Sequence, residues 1–294
     1  MDNLCFVSDY KSNDDLRASF NRLSRMIFGI DFESWYALGF WSDSYICCSY
    51  ADSGRIVSNV SANIIKASVN NKIYRTVQIG TVMTHPDYRG KGLAKALMDR
   101  VLSVYESNAD IIYLFPDEDA MAFYNKFGFS RARDCIFCLD GDTKDRSLIP
   151  PLPARTLNIE DKEDCSIIQR LCRDKIISPV FDISDSFHIL SWYLCGLFKK
   201  DALYIKSLDA MVIHRHMGYT LKLYSVISPK KQNLSDILDY IDCRNICIVE
   251  LCFTPDFLDY SLADFRHRPN DIILYKGKGF NFPEPFAHPV ISQA

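Results

Sequence analysis

Residues 79–94 read Ile-Gly-Thr-Val-Met-Thr-His-Pro-Asp-Tyr-Arg-Gly-Lys-Gly-Leu-Ala, and no other stretch constrains the chain so tightly. An apolar strand runs into a turn holding Arg89, Gly90, Lys91 and Gly92. Leu93 and Ala94 then open an amphipathic helix. A helix start has unpaired N–H groups and a partial positive charge, so it attracts phosphate. Glycines let a ligand come close to the backbone, and Arg89 and Lys91 add charge. The segment reads as a site for a diphosphate-bearing ligand. Spacing excludes two common kinds. No Gly-Lys-Ser/Thr follows a four-residue gap, so it is not a P-loop. The second half of G-x-G-x-x-G is missing, so it is not a dinucleotide fingerprint.

The flanking pattern gives the turn its context. Leu93, Leu97, Val101 and Val104 recur at helical spacing, widened by Ala94, Met98 and Tyr105, which predicts a helix packed on a sheet by one face. Residues 110–115 read as a strand, and 117–129 as a second short helix stopped by Gly128.

Arg89-x-x-Gly92-x-Ala94 resembles the acyl-CoA signature of the GCN5-related N-acetyltransferases, the GNAT superfamily. Ala120, Tyr124, Gly128 and Phe129 are similar to its second signature. The resemblance covers residues 1–140. It implies an α/β fold (an α+β mixed sheet) with acetyl-CoA as co-substrate and no metal. It implies cofactor contacts from Val82, Met83, Thr84, Arg89, Gly90, Lys91, Gly92, Leu93 and Ala94. A backbone N–H of Met83 or Val82 would polarise the thioester carbonyl, and Tyr124 would protonate the departing thiolate. The other reading of Tyr124 is a core aromatic beside Phe123 and Phe127. The family's Asn seven residues before the Tyr is Asp117 here, so that contact is not carried over.

A general base is not evident. Many relatives have a Glu on the strand before the turn, whereas residues 74–84 contain no carboxylate. His85 reads as a loop histidine pairing locally. The base comes from another segment, acts through water, or is the chain's own C-terminal carboxylate.

Upstream, residues 4–7 read as a strand, 14–28 and 32–41 as helices, and 45–50 and 56–69 as strands. In the fold so implied, the early helices wall the acceptor pocket, which makes Trp35, Phe40, Trp41 and Tyr45 candidates to line it. Their other reading is core aromatics. Asn59 and Asn63 are polar floor or solvated strand face.

Residues 141–155 are polar and proline-rich and read as a linker between a catalytic domain, 1–140, and a second domain, 156–294. Helices at 159–174, 187–198 and 234–241 and strands at 202–205, 211–216, 219–227, 246–253 and 272–275 echo the first half. The expected architecture is two GNAT-like domains in tandem. The second is degenerate, because Ser228-Pro229-Lys230-Lys231-Gln232-Asn233 stands where the phosphate turn belongs and has no glycine. Pro229 has no N–H to donate. One CoA site is expected, not two.

Composition sets the outer bounds. A net charge of −3 argues against nucleic acid and acidic membranes as partners. No signal-peptide pattern opens the chain, and the longest apolar run, 187–198, is too short to span a bilayer. Cys135 and Cys138 lie three apart on an expected strand and so point to opposite faces. The eleven cysteines read as small buried residues in a reducing cytoplasm. His214 and His216 share a strand face but have no third ligand at a recognisable spacing, so no metal is expected. The tail, 280–294, is proline-rich, with Phe282, Phe286, Val290 and Ile291 suited to docking. The function implied is acetyl transfer to a small-molecule amine in a ternary complex. The alternative is a non-catalytic CoA-binding sensor or scaffold. The acceptor and the oligomeric state stay open.

Overall fold

A computed structural model describes residues 4–140, 150–260 and 265–294. The first half runs β1 (Leu4–Ser8), α1 (Asp14–Phe28), α2 (Glu33–Ala37), β2 (Tyr45–Asp52), β3 (Arg55–Val69), β4 (Lys72–Thr84), α3 (Leu93–Tyr105), β5 (Ile111–Leu114), α4 (Met121–Tyr124) and β6 (Ser130–Asp140). Then come β7 (Arg155–Thr156), α5 (Lys162–Asp174), β8 (Phe181–Ser184), α6 (Phe187–Cys195), β9 (Ala202–Ile205), β10 (Ala210–Met217), β11 (Thr220–Ile227), α7 (Leu234–Leu238), β12 (Ile248–Leu251) and β13 (Phe265–Lys276).

Local sequence explains the principal boundaries. The Asn13 side chain caps α1 by accepting from the Leu16 amide, Asp14 and Asp15 sit in its first turn, and Gly29 ends it in the left-handed region. The α3 stripe is Leu93, Leu97, Met98, Val101 and Leu102, all buried. Val104, expected in the stripe, is 51% exposed, because the helix turns it away from the sheet. The expected helix at 117–129 is irregular: one α-turn, α4, lies between two 3-10 turns, and Gly128 stops it with a φ of 71°.

One sheet runs through the described residues in the order β1-β2-β3-β4-β5-β13-β6-β12-β11-β10-β9-β7, with β8 added to β3. The sheet does not break between the halves. The last strand, β13, lies between β5 and β6, and β6 in turn pairs with β12. Each half therefore has a strand of the other beside its fifth sheet position. The linker expected at 141–155 falls at 141–149 outside the described residues, and Arg155 already belongs to β7.

The connectivity repeats. The hairpin β3–β4 leads through a turn and α3 to β5, which is parallel to β4. The hairpin β10–β11 leads through a turn and α7 to β12, which is parallel to β11. Against one face of the first half, α3 packs on Val60, Ala62, Val77, Ile79, Ile112 and Leu114. The opposite face is covered by α1, α2, α6 and the tail.

Candidate active site

β4 opens the site. Its pairing with β5 covers only Thr76–Gln78, so the edge from Ile79 to Thr84 is unpaired on the β5 side. The register against β3 slips between Asn59/Met83 and Ser61/Gly80, and Thr81 at the slip has a φ of 49°. A non-glycine residue in the left-handed region costs about 1–2 kcal/mol. Two side-chain bonds at about 1 kcal/mol each offset it. Asn59 Nδ2 donates to the Thr81 carbonyl at 2.8 Å, and the Tyr45 hydroxyl meets Thr81 Oγ1 at 2.9 Å. Asn59 also accepts from Ser49 Oγ at 2.8 Å and donates to Ser61 Oγ at 2.9 Å. Asn59 and Asn63 are thus fully buried, neither pocket floor nor solvated face.

The bulge decides which amides are available. The His85 amide donates to the Val57 carbonyl. Orientation alternates along a strand, so Met83, in register with Asn59, turns its backbone to β3 in the same way. Val82 and Thr84 turn theirs to the open side. Of the two backbone donors considered for the carbonyl, Val82 faces the gap.

The turn follows directly. Gly90 and Gly92 have φ of 74° and 79°, and Gly92 is the N-cap of α3 without a side-chain hydrogen bond. No acidic residue stands in the first turn of α3, and Arg89, Gly90, Lys91 and Gly92 are exposed. Leu93 and Ala94 complete a bare helix start. Lys91 Nζ lies 4.7 Å from the centre of the Tyr88 ring, and Arg89 Nε donates to the Thr84 carbonyl. His85 is occupied locally: Nδ1 accepts from the Asp87 amide, and Nε2 contacts Arg55.

Tyr124 packs in one cluster with Leu97, Met98, Ile79 and Val82, so the structure brings it to the open side of the bulge. It is 5% exposed, and no described residue hydrogen-bonds its hydroxyl. Burial, aided by the Asp117 charge, pushes its pKa up to about 12, so the phenol keeps its proton at neutral pH.

Of the aromatic candidates, Tyr45 reaches the bulge through Thr81. Trp35, Phe40, Trp41 and Tyr45 are buried together between the early helices and α6. Trp35 Nε1 donates to the His188 carbonyl and Ser191 Oγ, and Trp41 Nε1 to the Tyr45 carbonyl. Rings satisfied in this way form a rigid wall. His214 and His216 hold no metal cluster; His216 contacts the Asp242 carbonyl, and no group of three ligand-type residues occurs among the described residues.

Sequence reasoning gave no role to Gln78. Its fully buried side chain donates to the Tyr113 hydroxyl at 2.7 Å and the Ser292 carbonyl at 2.8 Å, and accepts from the Ala294 amide. The Tyr113 hydroxyl lies 2.7 Å from His288 Nε2. The tail is thereby brought across the sheet face opposite α3. A Cβ at Gly80 would stand 2.8 Å from the Ala294 carbonyl carbon, so glycine is what admits the tail. The one sequence signal was a buried-looking Gln two residues before a strand glycine.

Residues 19–132 match the model described as an acetyltransferase (GNAT) domain. This segment, less than half of the chain, is similar to the GNAT family. An uncharacterized N-acetyltransferase, ycf52, of Porphyra purpurea is 34% identical over 59 residues, 20% of this chain, and the match spans 34% of that relative's length. A probable N-acyltransferase from Enterococcus faecalis V583 superposes with a TM-score of 0.58 at 13% identity, over 92% of this chain and 71% of its own. Eis1 from Mycobacterium abscessus gives 0.55 at 13% identity, over 93% and 72%. The GNAT fold therefore extends well beyond the matched segment. No described helix is long and apolar enough to cross a membrane.

Proposed function

We propose that this chain transfers the acetyl group of acetyl-CoA to the amine of a small molecule, by direct attack in a ternary complex. The observation that supports this best is the continuous path along the free edge of β4, past Tyr124, to the bare start of α3 at Gly92. The amides of Val82 and Thr84 line the pantetheine arm, and that of Val82 polarises the carbonyl. The turn at 89–94 grips the diphosphate. The neutral amine attacks the carbonyl carbon, the C–S bond breaks, and Tyr124 gives its proton to the thiolate. A base from another segment, directly or through water, takes the amine proton.

In this reading residues 1–140 carry the reaction. Residues 156–294 complete the sheet and wall the acceptor side. Thiol release from acetyl-CoA is measured against a panel of amines: amino acids, polyamines, aminoglycosides and peptides. Acceptor-dependent release is expected. CoA binding without release for any amine would instead make the protein a CoA-binding sensor or scaffold.

A further inference from the structure

The second half keeps an opening of its own. β11 pairs with β12 only over Thr220–Leu223, so Tyr224–Ile227 diverges from it as Ile79–Thr84 diverges from β5. Beside this second divergence lies a cavity of about 650 Å³, with Ser225–Ser228 and Phe253, Thr254 and Phe257 on one side and the segment around β8, residues 175–187, on the other. That volume suits a small organic ligand. None of residues 79–94, nor Tyr124, lines it.

It is not a second CoA site. The start of α7 is already occupied by a carboxylate of the chain. Asp259 accepts from the Leu234 amide at 2.6 Å, from the Ser235 amide at 3.0 Å and from Ser235 Oγ at 2.6 Å. The anion that the first turn leaves to be supplied from outside is built in here.

The cavity wall nevertheless holds unspent donors. Ser228 is 6% exposed, and its Oγ accepts from the Lys230 amide and from Gln232 Nε2, which leaves its own proton undonated among the described residues. Ser178 is 7% exposed, and its Oγ has no partner. Three lining lysines are spent on carboxylates: Lys66 on Asp185, Lys175 on Asp182 and Lys231 on Asp256. Lys230, exposed at the rim of the same wall, makes no close ion pair among the described residues, though its charge reaches Asp209. Phe253 and Phe257 supply an apolar side.

We infer that this cleft between β11 and the segment around β8 binds a small oxyanion, a carboxylate or phosphate monoester, carried on an apolar body, at a site separate from the acetyl-CoA path. Hydroxyl protons and the Lys230 ammonium match anionic oxygens, and the phenyl rings match the apolar part. Ser292 of the tail also lines the cavity and bonds to Gln78 on β4. Occupancy therefore touches the segment that crosses the first half.

The test uses the full chain saturated with CoA, titrated calorimetrically with phenyl phosphate, phenylacetate and benzylamine. One equivalent of phenyl phosphate or phenylacetate should bind, and benzylamine should not. Lys230→Gln and Ser228→Ala should each weaken the anion about tenfold, the usual size for a charge-assisted bond, and leave CoA affinity unchanged. No binding of either anion, equal binding of benzylamine, or unchanged affinity in both variants would overturn the inference. Since the readout is binding and not turnover, failure here leaves the acetyltransferase reading standing, and the reverse holds too.

Discussion

The two strand–turn–helix units of this chain share a topology and differ in who supplies the negative charge. After β4, the turn has two glycines in the left-handed region, no acid in the first helical turn, and free amides. After β11, the turn has Pro229 and no glycine, and Asp259 fills the helix start. A helix N-terminus requires an anion or water. In the first unit no acidic residue of the first turn supplies the anion, whereas in the second the fold satisfies itself. The same architecture thus leaves a helix start open or closes it, and a few residues decide which.

The hardest way to break this comparison is through the reaction. Tyr124→Phe keeps the ring packing and removes the proton donor, so kcat should fall ~10²–10⁴-fold, with CoA affinity and melting temperature nearly unchanged. An unchanged kcat, with chemistry rate-limiting, would remove the catalytic role.

Next comes the turn itself. Gly92 sits at a φ of 79° with open space around it, so Gly92→Leu keeps the packing, strains the backbone and places a side chain in the diphosphate path. Saturable CoA binding should be lost in a folded variant, and native mass spectrometry of the wild type should show one CoA per chain. Two would make the second turn a binding turn after all.

Gly80 sharpens the contrast from another side, since β11 has no glycine at all. Gly80→Ala sets a methyl against Ala294, which should cost about 1–3 kcal/mol as overpacking or free the tail. Hydrogen exchange at Ser292–Ala294 should rise, while exchange in β11 should not. A tail as protected as in the wild type would show that it is not seated against Gly80.

Acid tests the same seam. Burial holds the His288 pKa down to about 3, so below the ordinary value near 6.5 the unfolded chain binds a proton that the folded chain refuses. The stability is complete above pH 6.5 and is lost as pH falls towards 3, at about 1.4 kcal/mol per pH unit. His188 and His214, held down to about 4, act in the same direction. His288→Gln should flatten the decline in denaturant midpoint; an equally steep decline would assign it elsewhere.

The smallest effect concerns the built-in anion. Asp259→Ala removes the cap of α7 and should cost about 1 kcal/mol by chemical denaturation. It should still bind no second CoA, because Pro229 and the missing glycines remain.

Local spacing determines some of these features, and distant partners determine the others. The glycine turn that opens α3 and the α3 stripe were readable because local spacing determines them. Trp35, Phe40, Trp41 and Tyr45 were ambiguous, since an aromatic run looks alike in a pocket wall and in a core. Only the docking of α6 against α2 places them inside. Gln78, Asp259 and β13 were out of reach, because their partners lie far along the chain: Gln78 meets Ser292 across 214 residues. β8 was missed for the same reason, being a short strand whose identity comes only from pairing with β3.

The exchange of β6 and β13 has a consequence for how the molecule is made. While the chain emerges from the ribosome, β5 has β4 on one side and nothing on the other until residues 265–276 arrive. An unpaired strand edge invites other chains, and contacts between such distant segments form slowly. The first half therefore spends most of synthesis unfinished, and the two halves must mature together. Cutting the chain near residue 140 would yield not a smaller enzyme but a sheet with an open edge.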